Sequence, residues 1–266
     1  MKSAGNKILQ KLSPAISRFR ALRYEYLRVL PRYKETAVKL LGQDFKIADS
    51  LSYYWSFREI FLNNIYKFES QNNRPVILDC GSNYGTSIVY FKSLYPKAKI
   101  VAVEADPNIF QLLEWNIKNR GYEDISLINK AVSVSTVPIN FYHEGADGGR
   151  AHPIGSVNSK EVLTVETTHI DDLIQEPVDF LKMDIEGSET EVICSSKKLK
   201  DVPQIFIEYH SFKDSSQTLS SILEMLSSYG FRYYIHTQFC SPRPLTQESL
   251  QLGMDMQLNI FAKKNS

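Results

Sequence analysis

Two groups of residues in this chain have the types and spacing to do chemistry. The first is Asp79-Cys80-Gly81-Ser82-Asn83-Tyr84-Gly85, which follows the apolar run Val76-Ile77-Leu78 and leads into a helix-compatible segment through Leu94. Glycines in such a turn let the backbone approach a ligand closely, and the helix that follows presents unpaired N–H groups and a partial positive charge. The second group is Lys182-Met183-Asp184-Ile185-Glu186-Gly187 together with Glu208-Tyr209-His210. Alternation along a strand puts Lys182 and Asp184 on one face and Met183 on the other. A lysine inside so apolar a run needs an acidic partner, and Asp184, Glu186 or Glu208 can supply it.

Charge indicates which ligand the glycine turn suits. The apolar segment Lys99 to Val103 ends in Glu104, about where a ribose-binding carboxylate belongs in a βαβ unit. A dinucleotide fingerprint, G-x-G-x-x-G, seats an anionic pyrophosphate, whereas this chain reads D-x-G-x-N-x-G and begins with the carboxylate of Asp79. An anion there suits a cation. S-adenosylmethionine offers a ribose to Glu104, and it carries a sulfonium and an ammonium that Asp79 would favour by Coulomb attraction. It is therefore the expected cofactor rather than NAD. The residues expected to bind it are Asp79, Gly81, Ser82, Asn83, Gly85, Glu104, Ala105, Ala131 and Asp184.

Holding these residues requires strands alternating with helices. Asp106-Pro107 starts a helix that runs to about Asn119, with Gly121 as its stop signal, and Ile125 to Ile128 forms the third strand. Val137 to Tyr142 and Val162 to Thr167 are extended and bracket a glycine-bearing loop, Glu144 to Ser156, that carries Arg150 and His152 and reads as a lid or a long hairpin connection. Val178 to Met183 is a buried strand, followed by strand Gln204 to Glu208, helix Ser216 to Ser228, strand Phe231 to His236 and strand Met256 to Ala262. This alternation implies a mainly parallel α/β sheet covered on both faces. Pro242-Arg243-Pro244 separates the last two strands without a convincing helix, which argues for an antiparallel hairpin at one sheet edge.

Ahead of the sheet the pattern predicts a short strand from Phe45 to Asp49 and a helix from Tyr54 to Phe68. Residues 1–40 hold ten Lys or Arg against Glu25 and Glu35. Ser13-Pro14 starts a helix that lasts until Pro31, and a second helix is expected from Arg32 to Gly42. Residues 1–44 are thus expected as a basic helical extension and residues 45–266 as the cofactor-binding domain. The extension is expected to pack its apolar stripe on that domain, with peripheral contact to an anionic membrane as the alternative.

The quoted motifs are similar to those of the FkbM family of S-adenosylmethionine-dependent methyltransferases. The resemblance runs through Leu78-Asp79-Cys80-Gly81-Ser82-Asn83-Tyr84-Gly85, Val103-Glu104-Ala105-Asp106-Pro107 and Phe180-Leu181-Lys182-Met183-Asp184-Ile185-Glu186-Gly187-Ser188-Glu189. It covers roughly residues 45–262 and is weakest over the first forty. Cys80 stands where the family usually has Ile or Val, and Ala105 where it usually has Pro. The resemblance implies a Rossmann-like, seven-stranded methyltransferase sheet, here with an antiparallel edge strand, an N-terminal helical extension and a β insertion. It also implies, most often, O-methylation of hydroxyls on sugars, glycans or natural products.

Methyl transfer to a hydroxyl needs a positioned acceptor and a group to take its proton. Asp184 and His210 are the expected bases, His210 being favoured for its near-neutral titration, and Glu186 and Lys182 complete the expected catalytic set. His143, His169 and His236 lie in ordinary strand or turn contexts. Asp184, Glu186 and His210 mix oxygen and imidazole ligands, but no spacing demands a metal and none is expected.

Composition narrows the alternatives. The chain has 266 residues, 43% hydrophobic and 23% charged, with a net charge of +1, so it can bury a full core and carries no global charge that favours nucleic acid. No run of about 18 apolar residues suggests a membrane span. Cys80, Cys194 and Cys240 show no disulfide or zinc spacing, and no secretory signal is read at the basic N-terminus. The expected location is cytoplasmic, with membrane association through residues 1–40 as the variant, and the expected partner is a small-molecule or glycan acceptor. A nucleic-acid methyltransferase using the basic arm and a non-catalytic S-adenosylmethionine-binding protein are the other readings.

Overall fold

The computed structural model describes residues 24–143 and 161–264. Strands β1 (Thr36–Leu40) and β2 (Gln43–Ile47) lead to a helix, Ser50–Phe57, continued by a π-helical turn, Arg58–Leu62. There follow β3 (Val76–Cys80), helix Thr86–Leu94, β4 (Lys99–Glu104), helix Pro107–Lys118, β5 (Ile125–Asn129), β6 (Ala131–Ser133) and β7 (Ile139–His143). The remainder comprises β8 (Glu161–Val165), β9 (Thr167–His169), β10 (Phe180–Met183), helix Glu189–Ser195, β11 (Gln204–Phe212), helix Leu219–Ser228, β12 (Phe231–Cys240) and β13 (Met254–Lys264).

The main sheet has the order β12-β13-β11-β10-β3-β4-β5. Neighbours from β11 to β5 pair in parallel, while β13 runs antiparallel to both β11 and β12. The expected mostly parallel, seven-stranded, Rossmann-like sheet with an antiparallel hairpin at one edge is therefore present, and the reversed strand is the inner member of that hairpin. The expected β insertion is the antiparallel pair β7–β8.

The strands form because both faces of each are buried. Consecutive residues go to opposite cores: Leu78, Leu181 and Ile205 pack with Ile222 and Leu226 on one face. Ile77, Phe180 and Phe206 pack with Phe91, Ile100 and Leu113 on the other. Runs that are apolar at every position are what a doubly covered parallel sheet requires. The Pro107–Lys118 helix starts as its sequence predicts, with Pro107 in the first turn and the Asp106 carboxylate accepting from the Asn108 and Ile109 N–H groups at 2.8 and 3.2 Å.

The N-terminal expectations need correction. Most of the helix expected from Ser13 to Leu30 lies outside the described residues, and its described end is a short 3-10 turn, Glu25–Val29. The second helix, expected over Arg32–Gly42, is instead the β1–β2 hairpin, turning through Leu41 and Gly42 at φ of 51° and 88°. Alternation in Ala37-Val38-Lys39-Leu40 buries Val38 and Leu40 and exposes the residues between them, a period of two that a helix would not satisfy. Their cluster, with Tyr24, Leu27, Phe45, Ile47 and Tyr53, packs on Tyr84, Val89 and Ile109, so residues 24–57 form a cap on the glycine turn.

Other boundaries shift for local reasons. The helix expected from Tyr54 begins at Ser50 because Asp49 caps it, accepting from the Ser52 N–H at 3.0 Å. It stops well before Phe68, where Asn64 takes a left-handed φ of 56°. Strand β11 runs four residues past Glu208, because β13 pairs with it through Phe212. The loop Glu144 to Ser156, with Arg150 and His152, lies outside the described residues. Among the described residues no helix is long and apolar enough to cross a membrane.

Candidate active site

Two backbone crossings build the site. The turn after β3 folds back on β4, its Gly81 and Ser82 N–H groups both donating to the Val103 carbonyl at 2.9 Å. The turn after β10 folds against it, with the Asp184 N–H donating to the Cys80 carbonyl at 3.1 Å. Gly81, at φ 81°, is required here because a Cβ would fall 1.7 Å from the Asp184 carbonyl oxygen. Gly85, at φ 93°, lets the next helix seat itself against Leu113, whose Cδ1 would lie 2.8 Å from an added Cβ.

A cavity of about 1020 Å³ opens over these turns, at the carboxyl ends of the parallel strands. That volume lies at the upper end of the 300–1,000 Å³ typical of small-ligand pockets. Of the residues expected from sequence, Gly81, Ser82, Asn83, Glu104, Ala105, Ala131, Lys182, Asp184 and Glu186 line it. Asp79, Gly85 and His210 do not.

Glu104 is held rigidly in the cavity wall. Its two oxygens accept from the Asn83 N–H at 2.9 Å and the Asp106 N–H at 2.8 Å, which fixes the carboxylate in the wall. Burial pushes its pKa up to about 7, against the pull of those two N–H groups. Each oxygen keeps a lone pair, so a pair of ribose hydroxyls donating to it would repay part of that burial. The donor set fits S-adenosylmethionine on this ground.

The raised pKa has a consequence for stability. A carboxyl that holds its proton to about 7 when folded, but to about 4.5 when unfolded, contributes stability that is complete below the lower value and lost as pH rises through the upper one. The loss is about 3 kcal/mol, at 1.36 kcal/mol per unit. Urea unfolding of the ligand-free chain should therefore show a decline between pH 5 and pH 8 that is flatter in Glu104→Ala. The same slope in both proteins would disprove the assignment.

Asp79 has a different neighbour from the one expected. Its side chain is fully buried beneath the turn, accepting from Ser87 Oγ at 2.6 Å, with its other oxygen 3.5 Å from Lys182 Nζ. The cation it faces is Lys182, not a ligand's sulfonium or ammonium. Lys182 also donates to the Gly81 carbonyl at 2.6 Å and lies 3.2 Å from Asp184. Burial opposes its charge, but Asp184, Asp79 and Glu208 outweigh that and hold its pKa above the ordinary lysine value. The lysine thus locks the β3 and β10 turns together.

His210 also departs from expectation. Because β11 continues to Phe212, the parallel register puts Met183 opposite Ile207 and so sets Glu208, not His210, level with Asp184. His210 lies deeper, its Nδ1 2.9 Å from Glu189 and its Nε2 3.7 Å from Glu186 and 4.0 Å from Glu208. Burial would favour the neutral ring, but Glu186, Glu189 and Glu208 together raise its pKa well above the ordinary histidine value. These carboxylates therefore shift the ring toward its protonated form, against the near-neutral titration expected of it.

Glu208 lines the cavity beside Asp184. Burial and the neighbouring Asp184 raise its pKa well above the ordinary carboxylate value, against the pull of His210. Gln257 bonds to it and lies 3.3 Å from His210 Nε2. Sequence reasoning treated Glu208 only as a partner for Lys182, and missed Glu189 and Gln257. The signal for Glu208 was its register opposite Asp184, which pairing alone reveals. Among the described residues Asp184, Glu208 and His210 place ligand-capable atoms within 4.8 Å of one another, with Lys182 Nζ 3.2 Å from Asp184. Of the other histidines, His169 caps its own turn, accepting from the Asp171 N–H at 3.2 Å, and His236 packs on Phe261.

The methyltransferase FkbM domain model matches residues 79–233, more than half of the chain, and includes both turns and Glu208. Among curated proteins, 2-O-methyltransferase NoeI of Sinorhizobium fredii is 29% identical over 178 residues, covering 58% of this chain and 72% of that protein. Methyltransferase sdnD of Sordaria araneosa is 26% identical over 188 residues, covering 55% and 73% respectively. Methyltransferase 1 of Beauveria bassiana is 24% identical over 234 residues, covering 77% and 93%. The crystal structure of methyltransferase FkbM from Methylobacillus flagellatus aligns at a TM-score of 0.48 with 18% identity, covering 97% of this chain and 58% of that one.

Proposed function

The chain belongs to the FkbM family of S-adenosylmethionine-dependent methyltransferases, and from that premise we propose that it O-methylates a hydroxyl of an uncharged sugar, glycan or natural product. The observation that carries this reading is the pair of carboxylates, Asp184 and Glu208, opening onto the same cavity as Glu104. When bound, S-adenosylmethionine supplies a methyl group already activated by its sulfonium. The protein's remaining tasks are to orient a hydroxyl and to take its proton.

Glu104, with the backbone of Ser82 and Asn83, holds the cofactor end. Glu208 is the base: its raised proton affinity makes it a stronger acceptor than an ordinary carboxylate, and it lies on the cavity wall. His210 acts through Glu208 as a positioning residue, its charged form pulling the proton affinity of Glu208 down against burial and Asp184. Glu189 holds His210 at 2.9 Å, and Lys182 holds Asp184 at 3.2 Å.

The charge of the cavity argues against a nucleic-acid acceptor. Among its described lining residues carboxylates outnumber the cations Arg32, Lys130 and Lys182. Arg32 is bound to Asp49 at 2.8 Å and Lys182 to Asp184. A polyphosphate strand would meet net repulsion where a neutral hydroxyl would not. The test is to incubate the chain with methyl-labelled S-adenosylmethionine and a panel of neutral saccharides and hydroxylated natural products, with RNA as a second arm. Label in a hydroxylated product supports the reading, and label confined to RNA overturns it.

A further inference from the structure

Two backbone irregularities meet at one hydrogen bond on the cavity wall. The helix that begins at Ser50 widens into the π turn Arg58–Leu62, where the Asn63 N–H donates to the Arg58 carbonyl at 2.9 Å. In β12 the pairing with β13 steps from Thr237 opposite Leu258 to Phe239 opposite Gln257, which leaves Gln238 as the extra residue of a β-bulge. Both devices recur at functional sites, where a bulge re-aims a side chain. Here they bring the Glu59 carboxylate and the Gln238 carboxamide together, and both residues line the cavity.

The pair is tied to the proposed base and has capacity to spare. Buried Asn259 donates from Nδ2 to Gln238 Oε1 at 3.2 Å, which turns the Gln238 NH₂ toward Glu59. Asn259 also stands directly opposite Glu208 across β13 and β11, so those two side chains share a face. The amide of Gln257 already spans Glu208 and His210, but that of Gln238 has a position open. Glu59 accepts from Gln238 with Oε1; among the described residues no cation pairs with it, and its Oε2 has no hydrogen bond. Burial and the charge of Asp184 raise its pKa against the pull of Gln238, a penalty that a further donor would relieve. A carboxamide NH₂ carries two donors, so a free N–H stands beside the free carboxylate oxygen. An acceptor and a donor side by side match a hydroxyl, which both gives and takes hydrogen bonds. They do not match an ammonium, which has no lone pair for the Gln238 N–H.

We infer that Glu59 and Gln238 hold a second hydroxyl of the acceptor, so that the substrate is a diol whose other hydroxyl is methylated beside Glu208. This rests on the O-methyltransferase reading and deepens it by assigning residues that select the acceptor. The second hydroxyl donates to Glu59 Oε2 and accepts from Gln238 Nε2. A simple alcohol leaves the half-buried carboxylate unpaired, and a site built to hydrogen-bond a hydroxyl discriminates against the analogue that lacks it.

The experiment adds or removes one hydroxyl on a fixed ring. Ligand-observed NMR titration of the full chain saturated with S-adenosylhomocysteine compares cyclohexanol, the cis and trans forms of cyclohexane-1,2-diol and cyclohexane-1,3-diol, and trans-2-aminocyclohexanol. At least one diol should bind tenfold or more tightly than cyclohexanol, about 1.4 kcal/mol, and more tightly than the amino alcohol. Glu59→Gln leaves donors without the acceptor and should erase that preference. Exchanging the two groups, Glu59→Gln with Gln238→Glu, again sets one carboxylate beside one carboxamide and should restore it, which a loss through misfolding would not allow. No diol preference in the native chain, a preference that survives Glu59→Gln, or an exchanged pair no better than the single variant would overturn the inference. So would tighter binding of the amino alcohol, because the pair would then be a cation site. The underlying reading fails by a different result: label passing from methyl-labelled S-adenosylmethionine to alcohols with or without a second hydroxyl refutes the diol alone, whereas label in no hydroxyl at all refutes O-methylation while the binding comparison still stands.

Discussion

Glu208→Gln should lower kcat by roughly 10²–10⁴-fold, the range for loss of a general base, while leaving affinity for S-adenosylmethionine nearly unchanged. The carboxamide keeps the shape and can still meet Gln257, so a large loss would be chemical rather than structural. The pH profile of the native enzyme carries a second signature. A base whose pKa is raised above the ordinary carboxylate value loses its free form as pH falls, and it does so at higher pH than an unperturbed glutamate. Removing the ring with His210→Asn should push that acid limb higher still, because His210 is the neighbour that lowers the proton affinity of Glu208. If His210 were itself the base, the limb would disappear with the substitution and kcat would fall by the full range. Full turnover in Glu208→Gln would pass the role to Asp184.

Lys182→Met should destabilise the folded chain by roughly 3–5 kcal/mol, the cost typical of breaking a buried ion pair from one side. Methionine fills similar volume, so packing is nearly conserved and the charge is the variable. What remains is the fully buried Asp79, its second oxygen without a hydrogen bond, and a Gly81 carbonyl that has lost its 2.6 Å donor. Adding Asp79→Asn should recover much of the loss, since an amide can still accept from Ser87 and no longer strands a charge. Urea unfolding of the two single variants and the double variant gives the coupling directly. Additive losses in the double variant would show that Lys182 and Asp79 do not act as a pair. Both turns hang on this contact, so cofactor affinity should fall and recover along with stability.

Much of this was legible in the residues themselves. The runs Val76-Ile77-Leu78 and Phe180-Leu181-Lys182-Met183 could only be strands buried on both faces, and the glycines and Asp106-Pro107 marked the turns and the helix start. Those are local statements, settled by dihedral freedom and by the period of apolar residues, and they sufficed for the order of elements and for Gly81, Ser82, Asn83, Glu104 and Asp184 at the site. The strand at Phe45 was legible, but residues 36–42 were misread as helix because a short alternating strand and a short helix share too few residues for their periods to separate. The exchange of roles between His210 and Glu208 had a different cause. Which of them stands level with Asp184 depends on the register of β11 against β10 and on β13 pairing through Phe212, contacts between segments far apart in sequence. The protonation of His210 depends in turn on three carboxylates from separate turns and strands that approach only in the fold. Backbone geometry and burial pattern are properties of a segment and can be read along the chain. Charge state and access are properties of a neighbourhood, and only the tertiary structure decided them.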